Sequence, residues 1–125
     1  MGLFTLRMGF PEMSDLWKLL AGKAERGMLS TDEAALYRKL AKALRLLSAN
    51  PRHPSLASHS IDALSRRYSR KVWESFLENR KPAAGWLFWV YGPAKGEITV
   101  IGLEPHPDDN RSGYSKVRLS STQDG

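Results

Sequence analysis

Apolar residues recur along this chain first at helical spacing and then at strand spacing. Behind Ser30, the positions Leu36, Leu40, Ala43, Leu44 and Leu47 fall on one side of a helix, and Arg38, Lys39, Lys42 and Arg45 fall on the other. Ser30 stands three residues ahead of Glu33. At that spacing a serine hydroxyl and a glutamate carboxylate cap each other's backbone, which predicts the helix start. Asn50-Pro51 predicts its end, because a residue before proline avoids the helical region. A shorter helix precedes it, with Leu16, Trp17, Leu20 and Ala24 on one face, Ser14 predicted as N-cap and Gly27 as terminator. The two make a helical hairpin.

The second half of the chain changes period. Trp86 to Tyr91 is aromatic and β-branched, Gly92-Pro93-Ala94-Lys95-Gly96 supplies a turn, and Ile98 to Leu103 returns as a second apolar run. This hairpin is apolar enough for the middle of a sheet. Ahead of it, Val72, Glu74, Phe76 and Glu78 alternate with Trp73, Ser75 and Leu77, which predicts a strand. Leu3 to Phe10 reads as a short first strand and Tyr114 to Leu119 as a short last one, with Ser120 to Gly125 frayed. Pro51 to Arg70 is rich in Ser and Pro and reads as a surface connection with a turn of helix near Ile61 to Leu64. Helices first and consecutive strands afterwards predict a single α+β domain over residues 1–125. Its form is an N-terminal helical hairpin packed on one side of a small antiparallel sheet.

Composition narrows the function classes. The chain has 125 residues, 42% of them hydrophobic, which is enough for a core. It has no cysteine, which removes disulfides, thiolate catalysis and Cys-based zinc sites. No apolar run approaches a membrane span, and residues 1–15 lack the long apolar centre of a signal peptide, so a cytoplasmic protein away from membranes is expected. The formal charge is +6, and from Thr31 to Lys81 there are 11 Lys/Arg against 5 Asp/Glu, so this middle segment carries the whole excess. Such a face attracts polyanions such as nucleic acid; it also serves as a solvated helix face or meets an acidic protein.

Candidate chemistry is sparse. Three scattered histidines make no convincing metal site, and neither a phosphate-cradling glycine loop nor a nucleophile elbow is present, so no metal and no cofactor is called for. His106 follows the second strand of the hairpin, where an imidazole serves as general acid or base; the plain alternative is a loop histidine in a Pro-His-Pro turn. Asp108 and Asp109 either orient that imidazole or serve a turn. Arg66, Arg67, Arg70 and Lys71 form the densest basic cluster and are candidates for phosphate contact. His53 and His59 are expected to face water, Glu74 and Glu78 to be solvated on an edge strand, and Trp73, Trp86 and Trp89 to lie in the core.

The order of these parts resembles the RelE/ParE toxin superfamily of bacterial type II toxin–antitoxin pairs. The resemblance rests on Ala43-Leu44-Arg45-Leu46-Leu47-Ser48-Ala49-Asn50-Pro51, on Pro54-Ser55-Leu56-Ala57-Ser58-His59, on Val72-Trp73-Glu74-Ser75, and on the hairpin Ala84 to Leu103 with its terminal His106. It covers roughly residues 36–114, within a RelE-like core of about residues 30–119. It implies a toxin-like, metal-independent RNA endonuclease (an mRNA interferase) that uses the 2′-hydroxyl of the RNA as nucleophile, with RNA, the ribosome and an acidic antitoxin protein as partners. It gives His106 the acid/base role, Tyr114 a contact with a base or phosphate, and Arg66, Arg67, Arg70, Arg80 and Lys81 the phosphates. One position departs from the pattern. Ala84-Gly85 is followed by Trp86-Leu87 where many nuclease members carry an arginine, and Arg80 and Lys81 are the cations near enough in sequence to replace it. The alternatives are a catalytically degenerate RelE-like protein that contacts an acidic partner or nucleic acid, and a nucleic-acid-binding domain unrelated to toxins.

Overall fold

A computed structural model of the chain describes residues 3–78, 85–104 and 119–122. In chain order its elements are β1 (Thr5–Met8), α1 (Glu12–Glu25), α2 (Thr31–Ala49), β2 (His59–Ser60), α3 (Asp62–Tyr68), β3 (Trp73–Phe76), β4 (Trp86–Tyr91) and β5 (Glu97–Glu104). The described residues thus form an α+β structure with three helices and a five-stranded sheet.

Local signals set the helical hairpin. The Ser30 hydroxyl accepts from the Glu33 N–H at 3.1 Å, and the Glu33 carboxylate accepts from the Ser30 N–H at 2.9 Å, the reciprocal cap that starts α2. Asn50 ends it in an extended conformation ahead of Pro51. Gly27, at φ +66°, takes the left-handed turn after α1 without the cost a Cβ would impose. Ser14 is not the cap of α1. That helix begins at Glu12, straight after Pro11, and Ser14 is a buried residue of its first turn whose N–H donates to the Gly9 carbonyl. The first-turn donors find partners elsewhere, the Met13 N–H at Ser120 Oγ and the Ser14 N–H at the Gly9 carbonyl, so no side chain at Pro11 is needed as a cap.

The strand order is β1-β5-β4-β3-β2. The β4–β5 hairpin therefore lies in the middle of the sheet. The sheet is mixed rather than antiparallel, because β1 runs parallel to β5, with Thr5 opposite Glu97 and Met8 opposite Val100. The α1–α2 connection lets the chain return on the far side of the sheet before the remaining strands form, which a hairpin turn cannot do. On β5, Val100 faces Trp89 and Gly102 faces Phe88, so Ile101 is an extra residue. This bulge shifts the alternation by one. Ile98, Val100 and Leu103 all join the core beneath α1 and α2, and Ile101 points to the opposite face.

Two cores result. The larger gathers Met13, Leu20, Leu40, Ala43 and Leu47 from the helical hairpin against Leu87, Trp89, Ile98 and Val100 of the sheet. The smaller gathers Leu64 of α3 with Val72, Phe88, Val90 and Ile101. Helices therefore cover both faces, which corrects the one-sided packing expected. The Pro51–Arg70 segment holds more order than a surface loop, namely β2 and the two turns of α3. Leu64 supplies the reason, since it is fully buried and ties the segment to the sheet. Of the alternation expected over Val72–Glu78, the start holds, with Val72 in the smaller core and Trp73 in the larger; it lapses past β3, where Leu77 and Glu78 both turn toward α2. Ser120 is not frayed. It is buried, its hydroxyl accepts from the Met13 N–H at 3.2 Å, and its carbonyl accepts from the Tyr68 hydroxyl at 2.6 Å. Ser121 bridges to Phe10. Of the strand expected over Tyr114–Leu119, only Leu119 lies among the described residues, packed against the smaller core.

Candidate nucleic-acid interface

One corner of the sheet brings aromatic and basic side chains together. It is built where α3 hands the chain to β3. Ser69 takes a left-handed conformation (φ +64°) after the last turn of α3. The Ser65 hydroxyl then donates to the Ile61 carbonyl at 2.7 Å and accepts from the Val72 N–H at 2.9 Å, which binds the entry of β3 to the helix. Arg70 and Lys71 are held between these two anchors and are exposed. The Arg70 guanidinium lies over the β4–β5 turn, where a Cβ built on Gly92 would stand 3.8 Å from it. The Lys71 ammonium sits 5.2 Å from the centre of the Trp73 ring, within reach of its π face.

The aromatic part is Tyr91, the last residue of β4. It meets Trp89 edge-on at 5.0 Å and Trp73 edge-on at 6.1 Å, and Phe4 lies against it at 5.8 Å. Trp73 and Trp89 are themselves stacked at 5.7 Å with 15° between their planes. Trp89 is locked from below. Its indole N–H donates to Ser75 Oγ at 2.8 Å, Ser75 lies 2.6 Å from Ser58 Oγ, and Ser58 donates to the Pro51 carbonyl at 2.7 Å. Because that carbonyl can only accept, the Ser58 proton is committed to it, and the Ser75 proton must go to Ser58. Each donor in the chain has one acceptor. Tyr91 is thus a rigid ring, 40% exposed, on a fully bonded aromatic base. A fixed, exposed aromatic, with Lys71 at the next ring and Arg70 at the adjoining turn on the side of Tyr68 and Leu119, suits stacking of a nucleobase with contact to its phosphates.

The sequence-predicted site residues divide. Arg70 and Lys71 meet at this corner. Arg66 and Arg67 are exposed in the last turn of α3, where cations favour the helix's negative end. Arg80, Lys81, His106 and Tyr114, with Asp108 and Asp109, lie outside the described residues. Trp86, which stands where the resemblance implies an arginine, packs on Phe76 at 6.2 Å. Tyr91 was not singled out by sequence reasoning. Its signal was its place at the strand end before Gly92-Pro93, where a ring leaves the core.

His59 and Glu74 also differ from expectation. Glu74 is buried rather than solvated, because β2 covers β3 at its outer side and His59 stands opposite Glu74. His59 Nε2 lies 2.9 Å from the Glu74 carboxylate, and Nδ1 lies 3.0 Å from the Ala57 carbonyl. The Ala57 carbonyl engages Nδ1, and Nε2 faces the carboxylate. With both ring nitrogens engaged, His59 has none left to serve a substrate. His53 Nδ1 is likewise occupied, accepting from the Ser55 N–H at 3.1 Å. Burial pushes the Tyr68 phenol up from its ordinary value, with the Arg70 charge pulling the other way. Among the described residues no three His, Asp or Glu side chains could hold a metal ion, and no helix is long and apolar enough to cross a membrane. No protein-family model, curated protein or solved structure matches this chain.

Proposed function

We propose that this protein binds single-stranded RNA at the Arg70–Lys71–Trp73–Tyr91 corner, as a RelE-like, toxin-type protein. The observation that carries the reading is Tyr91, an exposed ring held rigid by Trp73 and Trp89, with Lys71 over the neighbouring Trp73 ring and Arg70 at the adjoining Gly92 turn. A helical hairpin ahead of antiparallel β3, β4 and β5 is in keeping with the resemblance. In this reading His106 is the acid/base group of metal-independent cleavage, assisted by Tyr114 and Arg80, and an acidic antitoxin-like protein is the natural inhibitor of so basic a surface.

The test is titration of a labelled single-stranded RNA. Tyr91→Ala is expected to weaken binding by about 1–3 kcal/mol, roughly 5- to 150-fold, and Tyr91→Phe to keep most of it, because stacking needs the ring and not the hydroxyl. Equal binding by wild type and Tyr91→Ala would refute the corner as the RNA site. Cleavage is tested separately, with excess chelator present. RNA cut by wild type and spared by His106→Ala is the expected result for a nuclease.

One observation favours the alternative of a degenerate, binding-only protein. Trp86 packs on Phe76 where a phosphate-holding arginine is implied. In that case RNA binds at the corner but remains intact.

A further inference from the structure

The structure holds a second basic recess, at the other end of β3. α2 forms one wall, and the Ser55-Leu56 turn and the chain after β3 form the other. The recess measures about 270 Å³. That is near the lower end of small-ligand sites, room for one compact molecule and not for a folded segment.

Its walls carry three chemical features. Arg38 and Lys42 stand one turn apart on α2 and make no ion pair with the described residues. Leu46, Leu56 and Phe76 supply an apolar surface. Glu78 lines the recess as well, 3.9 Å from Lys39 of α2. A ligand that satisfies all three has an anionic head for Arg38 and Lys42, a flat or apolar body, and a hydroxyl or amino donor for Glu78. A fatty-acid anion lacks the donor, and bringing its chain against the Glu78 carboxylate would cost desolvation without a bond in return. A free inorganic phosphate leaves the apolar wall unused. A nucleoside monophosphate has all three parts.

We infer that the recess lined by Arg38, Lys42, Leu56, Phe76 and Glu78 binds a nucleoside phosphate, either as a free nucleotide or as the phosphorylated end of an RNA strand. This goes beyond the stacking corner, because the two places share no residue. From Trp73 to Leu77 the strand direction separates them by about 13 Å, at some 3.3 Å per residue.

Binding of adenosine 5′-monophosphate, followed by calorimetry or by NMR shifts, tests the free form. A 5′-phosphorylated RNA oligomer beside its 5′-hydroxyl twin tests the strand end. Arg38→Ala and Lys42→Ala are expected each to weaken the favoured probe about tenfold, and adenosine without phosphate to bind no better to wild type than to these variants. Because a mononucleotide can also stack on Tyr91, the titration is repeated in Tyr91→Ala, where the loss caused by Arg38→Ala and Lys42→Ala is expected to persist. Groove-dependent binding of the mononucleotide identifies the free source, and groove-dependent preference for the 5′-phosphate without mononucleotide binding identifies the strand end. If neither probe responds to Arg38→Ala or Lys42→Ala in protein that melts like wild type, the inference is overturned. Since the RNA titration of Tyr91 variants is read independently, the two proposals can fail separately.

Discussion

Glu33 shows how much a single residue can reveal when its partners are local. It closes the cap of α2 and also receives the Lys23 ammonium at 2.7 Å, which ties the end of α1 to the start of α2. That hydrogen bond, followed by the one from the Ser30 N–H, holds the Glu33 carboxyl below its ordinary value. The folded protein therefore binds this proton less readily than the unfolded chain does. Its contribution is complete above the titration of an unfolded carboxyl and drains away as pH falls through the lower, folded value. Denaturant titrations of wild type and Glu33→Gln are expected to differ near neutrality and to converge over roughly pH 5 to 3. A gap independent of pH would mean that charge plays no part. The Ser30–Glu33 cap could be read from the sequence because it spans three residues. Tyr91 and the buried Glu74 could not, since Tyr91 depends on Phe4 and Trp73, and Glu74 on His59 across a strand pair.

Elements were legible where their periodicity was unmixed. The stripe of α2, the β4–β5 hairpin and the alternation through β3 each follow from spacing alone. α3 was under-read because its flanking serines and prolines mimic a loop and only Leu64 of its seven residues is buried. The parallel docking of β1 has no local signal at all. It depends on a close crossing instead: β1 is followed by Gly9, whose N–H donates to the Val100 carbonyl at 2.8 Å. A Cβ there would stand 2.6 Å from Ser120 Cβ and 2.9 Å from the Ser121 carbonyl. Gly9→Ala must push the 119–122 segment away from β1 and the first turn of α1. It is expected to destabilise the fold by about 1–3 kcal/mol, seen as a lower midpoint in urea. An unchanged midpoint would show that this segment moves freely. Ile101 is a second device of this kind, since the bulge it forms is invisible in a run of apolar residues yet decides which face Leu103 joins.

For the molecule as a whole, the excess charge was legible as a total and not as a shape. Among the described residues, part of it gathers in two places, the corner with Arg70 and Lys71 and the recess with Arg38 and Lys42. Their contributions to RNA affinity differ in how they respond to salt. Each phosphate contact on a single strand adds a slope of about −0.7 to the plot of log affinity against log salt, so Lys71→Ala is expected to flatten that slope by about this amount. An unchanged slope with weaker binding would mean that Lys71 acts through Trp73 and not on a phosphate. Salt slopes for Arg66→Ala, on the outer face of α3, are expected to match wild type.

The pairing of β1 with β5 also orders events in time. Thr5 has no strand partner until Glu97 exists, and Phe10 meets Ser121 only after residues 11–120 are made. On the ribosome α1 and α2 can form early, since their contacts are local, but β1 must wait for β5. Until β4 and β5 are made, the apolar side of the helical hairpin therefore lacks its sheet. The stacking corner, which needs Phe4 beside Tyr91, likewise forms only after β4 has emerged.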